Sequence, residues 1–152
     1  ILDDKPFVIE FNARLGDPES QVLLPMLKEG LFPIIKGVIH NNIKSIEIPM
    51  KEGYAVTVVI ASKGYPEKYK NNQLINGLDN SFLVFHSGTK IVNGNFHTNG
   101  GRVLNVIGQD LSLNSAIKNA YKNVEKIHFQ DMYFRKDIGQ KGLKYLKRVS
   151  HE

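Results

Sequence analysis

Cysteine is absent from all 152 residues. That single absence removes disulfides, thiolate nucleophiles and Cys-ligated zinc, and it suits a reducing, cytoplasmic setting. Long apolar runs are missing too. The richest, Tyr54 to Ala61, falls well short of the ~18 residues a membrane-crossing helix needs, so no membrane partner is expected. No repeat or low-complexity tract occurs. There is no initiator Met, basic leader or signal-type apolar segment before a strand-like run begins near residue 7, so the chain reads as a piece of a longer protein. Charge of one sign is only mildly in excess. With 20 Lys+Arg against 15 Asp+Glu the net is +5, and the aromatics are not interleaved with basic clusters, so nucleic acid is not the expected partner. Phosphorylated small molecules suit that charge equally well.

What is present is ordinary globular material, 41% hydrophobic and 23% charged, in a length that can bury a core. Phe7 to Asn12 reads as a strand that puts Glu10 and Asn12 side by side on one face. Asp17 and Pro18 then look like the N-cap and first position of a helix, which Pro25 should break or kink. A second helix is expected from Leu31 to about Asn41, with Leu31, Ile34, Ile35, Val38 and Ile39 as its buried stripe. Connectors at Asn41-Asn42 and from Pro49 to Gly53 suggest two sections, 1–48 and 49–152. In the second, Tyr54 to Ala61 reads as a buried central strand and Phe82 to Phe85 as a short one. Lys90 to Val92 and Asn95 to His97 read as a hairpin turning at Asn93-Gly94, and Arg102 to Ile107 as a further strand. Ser112 caps a long helix with the stripe Leu113, Ala116, Ile117, Ala120, Tyr121, Val124 and Ile127. Strands joined by hairpins and followed by one long helix predict an α+β, mainly antiparallel module rather than a doubly wound sheet.

The residues richest in chemistry run from Glu10 to Glu19. A carboxylate and a side-chain carbonyl on one strand face, with the Arg14 guanidinium two residues on, offer oxygen ligands for a hard divalent cation and a donor fork for phosphate. Thr98-Asn99-Gly100-Gly101-Arg102 has a related logic: two glycines let the backbone approach an anion, and an arginine closes over it. The alternative there is a hairpin turn that needs glycine for positive φ. His86 and His97 have no third partner for zinc, and Ser87 beside His86 lacks the orienting acid of a triad. Lys136, Lys141, Lys144, Lys147 and Arg148 read as the solvated face of a terminal helix.

Arg14-Leu15-Gly16-Asp17-Pro18-Glu19 resembles the signature of the phosphoribosylamine–glycine ligase (glycinamide ribonucleotide synthetase) family of ATP-grasp enzymes. Lys63-Gly64-Tyr65-Pro66, Phe85-His86-Ser87-Gly88-Thr89-Lys90, Thr98 to Leu104, Ala120-Tyr121 and Phe134 to Gly139 resemble that family's C-terminal domain, in the same order. The resemblance implies that 1–48 is the end of an ATP-grasp domain and 49–152 the C-terminal domain. It implies an ATP-dependent C–N ligase of purine biosynthesis that joins glycine to 5-phosphoribosylamine through a glycyl phosphate. On that reading Glu10 and Asn12 hold Mg2+ or Mn2+ against the ATP phosphates, and Arg14 steadies the transferred phosphoryl group or the acyl-phosphate oxyanion. Asp17 and Glu19 would hold glycine or the incoming amine, while Gly100, Gly101 and Arg102 receive the substrate phosphate. The family's nucleotide lysines, adenine pocket and glycine-rich lid have no counterpart in these residues, so the site is expected to be completed by an N-terminal part. The competing expectations are a related ATP-grasp carboxylate–amine ligase with another acceptor, and a basic RNA-binding module.

Overall fold

The computed structural model describes residues 7, 8, 11 and 13–149. Four strands, β1 (Tyr54–Ser62), β2 (Val84–His86), β5 (Arg102–Asp110) and β6 (Met132–Phe134), make one sheet in the order β2-β5-β1-β6. β3 (Thr89–Val92) and β4 (Asn95–Thr98) form a separate ribbon. Every pairing between these strands is antiparallel, as the α+β reading requires. The ribbon turns at Asn93 and Gly94, both with positive φ, the backbone a tight two-residue hairpin needs.

The two long strands pair along their whole length, Tyr54 opposite Asp110 and Ile60 opposite Leu104. Side chains alternate across a sheet, so Val56, Val58, Ile60, Leu104, Val106 and Gly108 share one face. That face carries α3 (Leu113–Val124), whose Ala116, Ile117, Ala120 and Val124 are buried in the same cluster. Ser112 caps α3 by accepting a 3.1 Å hydrogen bond from the Ser115 amide. Ile127, the end of the expected stripe, lies beyond the helix and is fully buried. Gly108 lets α3 sit directly on β5: a Cβ there would come within 2.1 Å of the Ala116 carbonyl oxygen. The basic residues Lys141, Lys144, Lys147 and Arg148 ride on α4 (Gln140–Val149), which has no buried residue, and Lys136 precedes it.

Several expectations in the first section need correcting. The helix after Pro18 starts only at Ser20, as α1 (Ser20–Leu23), and runs into a 3-10 turn, Leu24–Met26, that holds Pro25. Glu19, not Asp17, stands at the cap position and makes no side-chain cap bond, and the Asp17 carboxylate binds Arg102 and Gln21 instead. The second helix forms as α2 (Phe32–Ile39), but its stripe is not buried: Leu31, Ile35, Val38 and Ile39 are exposed and Ile34 only half-buried. Gly37 alone is buried, against Ile46. An apolar stripe records which side chains favour burial, and no described element covers this one. β2 begins two residues later than expected and reaches His86. The strand expected over Phe7 to Asn12 falls largely outside the described residues.

Candidate functional site at one end of the sheet

Antiparallel pairing brings the end of β1, the start of β5 and the end of β2 to the same edge of the molecule. Three of the sequence motifs meet there. The Ser62 amide donates to the Gly101 carbonyl (2.8 Å) and its hydroxyl to that of Gly100 (3.1 Å). The Asn99 amide donates to the Gly88 carbonyl at 2.7 Å, and a Cβ on Gly88 would lie 2.7 Å from the Gly100 Cα. A Cβ on Gly101 would enter the Tyr65 ring at 2.0 Å. Neither Gly100 nor Gly101 has positive φ, so these glycines permit close packing, not a left-handed turn. Gly88 and Tyr65 are the neighbours that sequence reasoning missed as site residues, although both lie inside motifs it had picked out.

Arg102 reaches its position through a β-bulge. Ile60 faces Leu104, but Ala61 faces Arg102, leaving Val103 as an extra residue in β5. The frame therefore shifts, and Arg102 shares the face of Ala61, Val59 and Asn105, away from α3. On that face it meets the N-terminal segment. Its Nη2 lies 2.8 Å from Asp17 Oδ2, and Nη1 donates to the Asp17 carbonyl at 3.2 Å. Gln21 donates to the other carboxylate oxygen at 3.0 Å. Two residues read separately as substrate contacts thus bind each other across 85 positions of sequence. The pair is open to solvent, its side chains 38% and 39% exposed.

The remaining predicted residues are placed as follows. Arg14 is exposed, donates to the Leu15 carbonyl at 2.8 Å and has no carboxylate partner among the described residues. Glu19 is exposed, and its carboxylate folds into the space a Cβ on Gly16 would occupy. Glu10 and Asn12, the expected metal ligands, lie outside the described residues. Among the described residues no group of three His, Asp or Glu could hold a metal ion. His86 and His97 have separate engagements: His86 Nδ1 with Thr89 Oγ1 at 2.9 Å, and His97 Nδ1 with the Asn95 carbonyl at 3.2 Å.

Beside the ion pair a cavity of about 510 Å³ opens between the Ser20 to Pro25 segment and β2, with Gln21, Leu24, Phe85 and His86 on its walls. Burial holds the His86 imidazole below its ordinary pKa, so it is neutral at physiological pH. Asn105, 1% exposed, donates to Ser87 Oγ at 2.7 Å. Its Oδ1 and the Thr57 Oγ1 on the same sheet face are buried without a partner among the described residues. The arrangement offers cations, hydroxyls and close backbone at one edge, the equipment for holding an anionic small molecule.

A family model described as phosphoribosylglycinamide synthetase, C domain, matches residues 55–141. Among curated proteins the chain is 46% identical over 151 residues to the bifunctional purine biosynthetic protein purD of Dictyostelium discoideum, covering 95% of this chain and 18% of that one. It is 41% identical over 145 residues to the phosphoribosylamine–glycine ligase of Fusobacterium nucleatum, covering 91% and 34% respectively. Its fold resembles the crystal structure of the phosphoribosylamine–glycine ligase of Thermotoga maritima with a TM-score of 0.79 at 34% identity, over 89% of this chain and 34% of that one. The chain spans about a third or less of the length of these relatives.

Proposed function

The chain belongs to the phosphoribosylglycinamide synthetase C-domain family, and on that premise we propose that it forms the C-terminal part of a phosphoribosylamine–glycine ligase. In the proposed division 1–48 ends an ATP-grasp domain and 49–152 is the C-terminal domain. The observation that carries the reading is the Asp17–Arg102 ion pair, which joins the Arg14 to Glu19 motif to the Gly100-Gly101-Arg102 motif in one place.

The reaction proposed for the whole enzyme has two steps. A carboxylate cannot expel oxide when an amine attacks it, so ATP first phosphorylates the glycine carboxylate and releases ADP. The amine of 5-phosphoribosylamine then forms the C–N bond, the C–O bond to phosphate breaks, and phosphate leaves with the electron pair while the nitrogen loses a proton. Phosphoryl transfer depends on positioning and charge neutralisation, and these residues supply part of both. Arg14 has donors in solvent reach for the transferred phosphoryl group or the oxyanion. Asp17 and Glu19 supply carboxylates for the glycine ammonium or the incoming amine. Arg102, released from Asp17, takes the phosphate of the phosphoribosyl substrate beside Gly100 and Gly101. Glu10 and Asn12 are oxygen donors of the kind Mg2+ or Mn2+ prefers, and such a cation supplies charge neutralisation at the ATP phosphates when bound. The proposed setting is the cytoplasm, without nucleic-acid or membrane partners. The cysteine-free composition supports it. No helix among the described residues is long and apolar enough to cross a membrane.

Glu10→Gln and Asn12→Ala in the complete enzyme test the reading. Each should depress glycine-dependent ADP formation far more than thermal stability. Near-normal turnover with an unchanged magnesium dependence would remove both residues from the metal, and a wild-type enzyme inactive with glycine and phosphoribosylamine would remove the reaction itself.

A further inference from the structure

β1 leaves the sheet into a short loop, Lys63 to Lys70, whose charges the proposed reaction does not use. The loop is closed on itself. The Tyr65 amide donates to the Ser62 carbonyl (3.1 Å) and the Glu67 amide to that of Gly64 (2.8 Å). Gly64 has φ +96°, and a Cβ there would strike the Lys68 carbonyl oxygen at 2.1 Å, so the two limbs of the loop touch. The Lys63 amide donates to the Asp131 carbonyl at 2.8 Å, which fastens the loop to the residues leading into β6. Between these walls lies a cavity of about 280 Å³ lined by Ser62, Lys63, Lys68, Tyr69, Lys70, Gln130 and Asp131.

Three ammonium-bearing side chains thus line a space with one carboxylate residue, Asp131. Glu67, in the same loop, is not part of the lining. None of the three lysines has an ion-pair partner among the described residues. A surplus of two positive charges matches a dianion, and lysine ammonium groups bind phosphate as point charges. The volume suits a small molecule. The Tyr69 ring, 6.2 Å from that of Tyr65, adds a flat wall for a sugar.

We propose that the Lys63–Lys70 loop, closed against Gln130 and Asp131, is a binding site for a phosphomonoester, distinct from the Arg102 contact. The site adjoins the Gly100-Gly101 segment through Ser62, whose hydroxyl bonds the Gly100 carbonyl. Its ligand is either a sugar phosphate or free phosphate, and both present the same dianion.

The test is a titration of the 15N-labelled 152-residue chain with ribose 5-phosphate, inorganic phosphate and ribose, followed by amide shifts. Ribose 5-phosphate should give saturable shifts at Lys63, Lys68, Tyr69, Lys70 and Asp131, and ribose alone should give none. Binding should weaken as salt rises. The double variant Lys68→Gln/Lys70→Gln, with its other resonances unmoved, should lose about tenfold or more in affinity, whereas Arg102→Ala should keep it. Tighter binding of ribose 5-phosphate than of phosphate identifies a sugar phosphate as the ligand; equal binding identifies the phosphate itself. Shifts spread over the α4 lysines, unchanged affinity in the lysine double variant, or loss only in Arg102→Ala would each overturn the proposal. None of these readouts requires ligase activity, so they stand or fall separately from the reaction.

Discussion

The guanidinium of Arg102 is held by Asp17 yet stays 38% exposed, so a phosphate arriving from solvent competes with one half-exposed carboxylate. Such a pair is worth about 0 to 1 kcal/mol, whereas a charge-assisted contact to phosphate is worth about 1.5 to 3 kcal/mol. Exchange therefore favours the substrate. Arg102→Ala in the complete enzyme should raise the Michaelis constant for phosphoribosylamine by roughly ten- to a hundredfold and leave that for ATP nearly unchanged. Movement of the ATP constant alone would detach Arg102 from the phosphoribosyl pocket, and a collapse in thermal stability would make it a strut. His86 leads to a different measurement. Because burial lowers its pKa from 6.5, the unfolded chain takes up a proton before the folded one does. The stability that neutral His86 allows is therefore present above pH 6.5 and is lost as pH falls through 6.5 towards the folded value. Denaturant midpoints between pH 7.5 and 5.5 should decline in the wild type and decline less in His86→Phe; parallel curves would exclude this residue as the cause.

At the scale of elements, the contact of α3 with β5 is the tightest joint. A Cβ on Gly108 would meet main-chain atoms of Ala116 and Ala120, which cannot swing aside as a side chain can. Gly108→Ala should cost at least the 1 to 3 kcal/mol usual for overpacking, about that much by urea unfolding of the chain, and an unchanged midpoint would mean that α3 floats on the sheet. The elements legible in the sequence were those with local causes. β1 came from a β-branched run, the β3–β4 ribbon from Asn93-Gly94, and α3 from the Ser112 cap with an apolar stripe down one side. Misreadings arose where a distant partner decided the outcome. Asp17 has the chemistry of a helix cap, but Arg102, far along the chain, binds its carboxylate instead. Leu31, Ile35, Val38 and Ile39 have the spacing of a buried face, yet spacing says nothing about what covers it. At Gly100 and Gly101 the alternative of a positive-φ turn fails, and glycine there supplies room for Gly88 and Tyr65. The ligase motifs were visible as residue strings; that two of them touch was not, because contact across the fold leaves no local period.

For the molecule as a whole, the chain spans 34% of the ligase of Fusobacterium nucleatum it resembles, and the nucleotide lysines, adenine pocket and glycine-rich lid expected of that family have no counterpart in this sequence. The 152-residue chain by itself is expected to bind ATP weakly. Calorimetry reads this directly, and micromolar affinity would relocate the nucleotide site into these residues. The extra residue in β5 has a wider bearing. Along a strand, direction is counted modulo two, so Val103 acts as a change of phase: Leu104, Val106 and Gly108 after it address the helix α3, and Arg102 before it addresses the segment carrying Asp17. Exchanging Val103 for another apolar residue keeps the count. A regular strand with the same residues would turn the guanidinium into the apolar layer under α3, whereas removing Val103 would straighten β5 and keep Arg102, then next to Leu104, on the side of Asp17. At this position, then, the bulge carries information that the two-residue period does not: it lets Arg102 and Leu104, two apart in sequence, face opposite sides of the sheet.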